Sequence, residues 1–220
     1  AERAALATYG PFVNRALQDW YHIDDPAFGG AAKGGTLEFV LQHPNALARA
    51  SRLKWSENGR LLWGRELKAR LERDFTGMRR LNFEVFADWL PHADCHVRLD
   101  PAVTDRWGVP VARIRLGFHP HNARVTAFLA ARGEEALKLL GAGNVRSRLY
   151  DSPPPNLVAG GCRFGSDPSA SVLDPQCRAH EVDNLFVSDA SFMPTGGSVP
   201  YTWTVYANAF RVARQVLAAV

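Results

Sequence analysis

Cysteine is scarce in this 220-residue chain: Cys95, Cys162 and Cys177 are the only three. Their number and uneven spacing exclude a disulfide framework and a paired-cysteine zinc site. They leave free buried thiols or a single Cys162–Cys177 bridge. No apolar run approaches the ~20 residues that a bilayer-spanning helix needs, so no membrane span is expected. Lys and Arg are scattered, 26 against 22 Asp and Glu, for a net charge of +4. That describes a solvated surface, with no nucleic acid as partner. No internal repeat occurs. Also lacking is a Gly-x-Gly-x-x-Gly turn, which would mark the start of a dinucleotide-binding unit. What is present is a 46% hydrophobic composition, enough to build a core for one or two domains.

Short elements follow one another along the first 150 residues. Residues 1–20 carry a weak amphipathic pattern (Leu6, Tyr9, Phe12, Val13, Leu17), read as a helix or a wandering segment, with Pro11 against one straight helix. Asp19–Gly35 is turn-rich and reads as a loop, with His22, Asp24 and Asp25 as a metal set or, more simply, a hydrogen-bonded loop histidine. Thr36–Leu41 reads as a strand, and Ala46–Arg52 and Gly64–Phe75 as helices, the second with Leu67, Leu71 and Phe75 on one face. Trp55 and Trp63 flank an Asn58-Gly59 turn, where they would pack in the core or at an edge, or stack on a sugar. Alternation predicts strands at Arg79–Trp89, Cys95–Leu99 (ending at Asp100-Pro101) and Val111–Phe118, joined by turns as in an antiparallel sheet. The spacing of Val125, Phe128, Leu129, Ala136, Leu137 and Leu140 predicts a helix over His121–Leu140, weakened by Gly133 and stopped by Gly141. Asp151–Pro155 reads as an extended linker.

The most informative stretch runs from Gly160 to Val216. Asn184–Ser188 reads as a short strand covered on both faces, with Asp189 at its carboxyl end, where open α/β sheets place ligand-contacting groups. Met193–Pro200 is a glycine loop, and a helix starts at about Tyr201 with its free amides pointing back toward the strand end. Together these make a candidate ligand site. The plain alternative is a packed strand–turn–helix with no ligand.

GGCRFGSDPSASVLDP and VDNLFVSDASFMPTGGSVPYTWTVYANAFRVA resemble, in order and spacing, the C-terminal signature of the glucose–methanol–choline (GMC) flavin oxidoreductases. The block VRLDPAVTDRWGVPVARIRLGFHPHNARV resembles the substrate domain of the same family, which extends the likeness from about Arg80 to the end. The resemblance implies an α/β (α+β) chain: an antiparallel or mixed sheet of a substrate-binding-type domain over 1–150, flanked by helices, and a segment 151–220 completing an FAD-binding domain. It implies FAD as cofactor and hydride transfer from the CH–OH group of a small alcohol or sugar to flavin N5. The family's glycine fingerprint lies near its N-terminus. This sequence opens at Ala1 without one, so a missing N-terminal FAD domain is the expected partner, and the chain alone is not expected to hold FAD tightly.

Matching the signature residue by residue implies that Asp189, Ala190, Tyr201 and Thr202 contact the flavin. The plain reading is that Asp189 caps a turn and Thr202 caps the helix. Two family positions depart. A histidine usually stands where this chain has Leu157, and a histidine or asparagine where it has Pro200; neither residue moves a proton. A one-residue slip brings Asn156 to the first position. Asn156 and Tyr201 are therefore the candidate catalytic residues, with His119, His121 and His180 as other sources of a base. His119 and His121 read as capping residues and His180 as structural. The rival to an enzyme is a truncated or degenerate relative that binds a ligand or partner subunit without turnover.

Overall fold

The computed structural model describes residues 13–40, 45–77, 80–150 and 157–219. Two compact units are distinguished by their internal contacts: residues 1–17 with 37–84, and residues 18–36 with 85–220. The linker expected at 151–155, and Asn156, lie outside the described residues.

The first unit holds β1 (Val13–Leu17), most of β4 (Gly35–Val40) and the start of β5 (Asn82–Ala87), hydrogen-bonded in the order β1-β4-β5. β1 and β4 are antiparallel, with Leu17 opposite Leu37. Val13–Leu17 is therefore a strand rather than part of an amphipathic helix; residues 1–12 lie outside the described set. Two helices follow, α1 (Ala46–Leu53) and α2 (Gly64–Glu72). The Asn45 side chain caps α1 by accepting from the Leu47 and Ala48 amides. α2 passes at Arg73 into a π turn ending at Gly77, short of the continuous helix expected to Phe75. Trp55 and Trp63 are exposed, not packed into a core.

In the second unit, β2 (His22–Asp25) and β3 (Gly30–Lys33) form a tight antiparallel hairpin. This corrects the loop expected over Asp19–Gly35. A 3-10 turn at Pro26–Phe28, capped by Asp25, and Gly29 in the left-handed region reverse the chain within four residues. Among the described residues no His, Cys, Asp and Glu group could hold a metal, so His22, Asp24 and Asp25 are hairpin residues.

β6 (His96–Thr104) and β7 (Pro110–Arg115) form a second hairpin. β6 does not end at Asp100-Pro101. The Asp100 carboxylate accepts from the Ala102 and Val103 amides and carries the strand through an irregular step. Among the described residues the expected sheet is thus realised as three small sheets, antiparallel wherever a register is defined.

α3 (Pro120–Leu139) starts at His119, whose ring accepts from the His121 amide, so His119 is a capping residue as read from the sequence. Its buried stripe is Asn122, Val125, Leu129 and Gly133. The glycine that weakens the helix intrinsically lies on its packed face. Gly35, within the second unit, lies close to this helix: a Cβ there would meet the Phe86 carbonyl at 2.0 Å and the Leu129 side chain at 2.9 Å.

The core of the second unit gathers Leu173, Cys177, Ala179, Phe192, Met193, Tyr201 and Val212. The last of these lies on the closing helix α4 (Thr202–Ala219). All three cysteines are free, which removes the Cys162–Cys177 bridge. Asn184–Ser188 is not a strand. It is an extended segment with one bridge, Phe186 to Arg178, and Leu185 is 48% exposed. An apolar strand covered on both faces needs hydrogen-bonded neighbours, and among the described residues it has one neighbour on one side.

Asn122 is the buried polar group on which this unit's packing can be tested. Its Oδ1 accepts from the Leu90 amide (3.0 Å) and its Nδ2 donates to the Leu90 carbonyl (3.3 Å). Asn122→Ala leaves both backbone groups unpaired, and a loss of about 2–3 kcal/mol is expected in urea unfolding. A change below about 0.5 kcal/mol would show that water replaces the amide without cost.

Candidate functional site

Three segments meet around Asp189. The glycine-rich segment after Leu157 runs beside the turn that follows Asp189. The amides of Gly160, Cys162 and Phe164 donate to the carbonyls of Ala190 (3.2 Å), Ser191 (2.9 Å) and Phe192 (3.0 Å). Gly160 lies in the left-handed region, and a Cβ there would sit 3.1 Å from the Met193 carbonyl. The Phe164 and Phe192 rings pack beneath, 5.6 Å apart. Behind Phe164, short extended pieces bridge in succession, Phe164 to Leu173 and Leu173 to Ala179.

Asp189 precedes a 3-10 turn, Ala190–Phe192, and caps it. Its Oδ1 accepts from the Ser191 amide (2.8 Å) and from the Ser191 hydroxyl. Those two bonds hold its carboxyl below the ordinary range, so it is charged at neutral pH. The turn-capping reading of Asp189 is what its side chain does in this structure. Ala190 supplies the carbonyl that receives Gly160.

Tyr201 is 7% exposed, and its carbonyl accepts from the Val205 amide (3.0 Å), which places it just before α4. Its hydroxyl donates to the carbonyl of Leu157. This bond joins Leu157, one of the two positions where a proton-handling residue was sought, to Tyr201, a candidate catalytic residue. Leu157 has a φ of +55°, a conformation costly for a residue with a Cβ. Thr202 opens the helix and is exposed, as is Pro200. Between the glycines and Tyr201 lies Ser198, 1% exposed, with φ +61° and a buried hydroxyl that finds no partner among the described residues.

His180 is tied into the loop: its Nε2 lies 3.2 Å from the Gly165 carbonyl and 3.0 Å from the Ser171 hydroxyl. A carbonyl only accepts, so Nε2 is the donor in the contact with Gly165. It lines a cavity of about 500 Å³ with Arg163 and Glu181, which adjoins a second of about 270 Å³. Neither cavity is lined by Asp189, Tyr201 or Thr202. His121 is partly buried, and that burial lowers its pKa.

Two features escaped the sequence reading. The amides of Gly196 and Gly197 are held by the Trp89 carbonyl (2.9 Å) and the Asp88 carboxylate (3.0 Å). On α4, the Asn208 Oδ1 accepts from Arg211, Asn208 and Arg211 both donate to the Cys177 sulfur, and Arg211 also donates to the Pro175 carbonyl (2.7 Å). Asn208 was legible in principle, as the polar member of the buried stripe Val205, Asn208 and Val212.

A family model described as GMC oxidoreductase, covering the C-terminal region of that family, matches residues 91–209. The chain belongs to the GMC oxidoreductase family. GMC relatives include a 2-methyl-1,2-propanediol dehydrogenase from Mycolicibacterium austroafricanum, 30% identical over 195 residues, 88% of this chain and 34% of the relative. A 6'''-hydroxyparomomycin C oxidase from Streptomyces lividus is 33% identical over 127 residues, 57% of this chain and 23% of the relative. The fructose dehydrogenase large subunit of Gluconobacter japonicus is 27% identical over 128 residues, 58% of this chain and 23% of the relative. The chain thus spans about a third or less of the length of these relatives. By their names these GMC relatives act on alcohols and sugars. Among the described residues, no helix is long and apolar enough to cross a membrane.

Burial raises the Tyr201 pKa above its ordinary value of 10.0. The folded state then holds the phenolic proton more tightly than the unfolded chain. The stability linked to that proton is complete below pH 10.0 and is lost as pH rises through the folded value. Urea unfolding from about pH 8 to 11 should show a steeper alkaline fall for the parent protein than for Tyr201→Phe. The variant should also lose about 1 kcal/mol at neutral pH with its bond to Leu157. Parallel alkaline profiles would contradict the assignment.

Proposed function

We propose that this protein takes part in oxidation of the CH–OH group of a small alcohol or sugar, and that Gly160–Val216 forms the isoalloxazine and ribityl side of a flavin pocket. In this reading residues 1–150 serve the substrate side and 151–220 the flavin side. The observation that carries it is the joining of the GGCRFG segment to the Asp189 turn by three backbone hydrogen bonds, together with the Tyr201–Leu157 contact. Both fall inside the family match.

The residues present fit one side of FAD. An orphaned buried hydroxyl at Ser198 stands in the loop before α4. A charged carboxylate at Asp189 is available to ribityl hydroxyls, and the first amides of α4, at Thr202 and after, lie beyond the reach of the helix's own carbonyls. GMC oxidoreductases are generally FAD-dependent, and FAD, when bound, supplies the hydride acceptor. The α4 amides favour negative charge at the flavin's pyrimidine edge. Tyr201, with its raised pKa and engaged hydroxyl, keeps its proton at neutral pH and positions the Leu157 backbone. The adenine and pyrophosphate have no matching glycine turn in this sequence.

One observation favours a second reading, a relative that binds without turnover. Leu157 and Pro200 stand at the family's proton-handling positions, and Tyr201 is a donor there, not an acceptor.

FAD mixed with the 220-residue chain alone is expected to bind weakly. In flavin-loaded protein, a dye-acceptor screen over diols, aminoglycoside alcohols and ketohexoses should find at least one donor that bleaches the flavin. Loaded protein that no donor reduces would favour the second reading. Asp189→Ala is expected to lower flavin content about tenfold, with Asp189→Asn, which keeps the turn cap, less affected; equal flavin content in Asp189→Ala would remove Asp189 from the pocket.

A further inference from the structure

Asp88 is 2% exposed and lies just past the end of β5, ahead of the residues 91–209 that match the family model. Its amide donates to the Gly34 carbonyl (2.9 Å), which fixes its backbone against the β3–β4 connection. Its Oδ1 then accepts from the amide of Gly197 (3.0 Å), 109 residues away in sequence. The next rung is Gly196 to the Trp89 carbonyl (2.9 Å). A Cβ on Gly196 would sit 2.8 Å from Trp89 Cβ, so the loop lies flat on this strand end only because residue 196 is glycine. Gly197 has φ +82°, which turns its amide toward the carboxylate.

A buried carboxylate is costly unless it is hydrogen-bonded and paired. The groups facing Asp88 are Lys33, with Nζ at 3.6 Å and partly open to solvent, and His121, whose titration Asp88 influences. The carboxylate bridges the end of β5 to the loop that opens α4, and a charged acceptor makes this a stronger tie than a backbone carbonyl would. Little slack separates the tie from the helix. Ser198 is buried, Pro200 has a ring-fixed φ, and Tyr201 is buried.

We propose that Asp88 is the positioning residue that sets the Gly196–Pro200 loop, and through it Tyr201 and the first amides of α4, by accepting the Gly197 amide. Its consequence for turnover rests on the flavin-side reading above; the tie to Gly197 does not. A shift of about 1 Å at a reacting edge is enough to cost about 100-fold in rate, so the tie would act on the chemical step more than on substrate affinity.

The test is amide hydrogen exchange at Gly197 in the protein, joined to steady-state kinetics of the flavin-loaded form. The Gly197 amide should be protected in the parent protein and in Lys33→Met, which removes the cation and leaves the acceptor. Exchange should quicken about tenfold or more in Asp88→Ala, with kcat down about 10- to 100-fold and KM changed much less. Asp88→Asn keeps an acceptor oxygen and should restore most of both. An unprotected Gly197 in the parent protein, or equal loss in Lys33→Met and Asp88→Ala, would overturn the proposal; if Asp88→Ala fails to fold, an unprotected Gly197 in the parent protein or in Lys33→Met overturns it. Faster exchange with unchanged kcat in Asp88→Ala would reduce Asp88 to a structural acceptor and overturn it also. Flavin-loaded protein that no alcohol or sugar donor reduces would defeat the flavin-side reading alone, leaving the Gly197 exchange to decide the tie.

Discussion

The hydrogen-bonded run from Gly160, Cys162 and Phe164 to the carbonyls after Asp189 is the constraint on which the site depends. Each such bond contributes only about 1 kcal/mol net, yet the run fixes two segments that neither helix nor sheet would otherwise hold. The segment 160–164 cannot move without breaking the cap at Asp189 or the Phe164–Phe192 packing below it. Through Leu157 and Tyr201 the same run reaches the start of α4, so the Asp189 turn, the glycine segment and the helix start form one mechanical piece.

Strain and burial cluster where that piece is tightest. Leu157 and Ser198 hold left-handed backbone without being glycine, as does Cys177, whose sulfur accepts from Asn208 and Arg211. Such conformations persist only when their surroundings over-determine them. Here the surroundings are the core of Leu173, Phe192, Met193, Tyr201 and Val212, and the Arg211 clasp that ties α4 to Pro175. Large side chains on α4 (Trp203, Tyr206, Phe210) remain exposed on its other face, so the burial that holds the helix comes from one stripe.

Much of this was legible in the residues. Helices at 46–53, 120–139 and 202–219 followed from periodicity, caps and glycine stops, because those signals are local. The 22–33 hairpin was hidden by its own turn chemistry: Asp25-Pro26 and paired glycines mark loops and tight reversals alike. Asn184–Ser188 carries a strand's composition without the neighbours that make one. Asp189 was recognisable from its place in the signature, and the tie between Asp88 and Gly197 was not, since nothing local in Ala87-Asp88-Trp89 announces a partner so distant in sequence. The absence of an imidazole at Leu157 was plain in the sequence. That the Tyr201 hydroxyl donates to the Leu157 carbonyl needed coordinates, because it depends on a buried side chain reaching across 44 residues of chain.

A crystal structure of the flavin-loaded protein measures the central claim most directly. The account places the isoalloxazine with its pyrimidine edge within hydrogen-bond distance of the amides that open α4 and its ribityl chain beside Asp189. A flavin ring lying elsewhere, for example in the cleft of Arg163 and His180, with the Asp189 turn and the α4 amides facing only solvent, would contradict it.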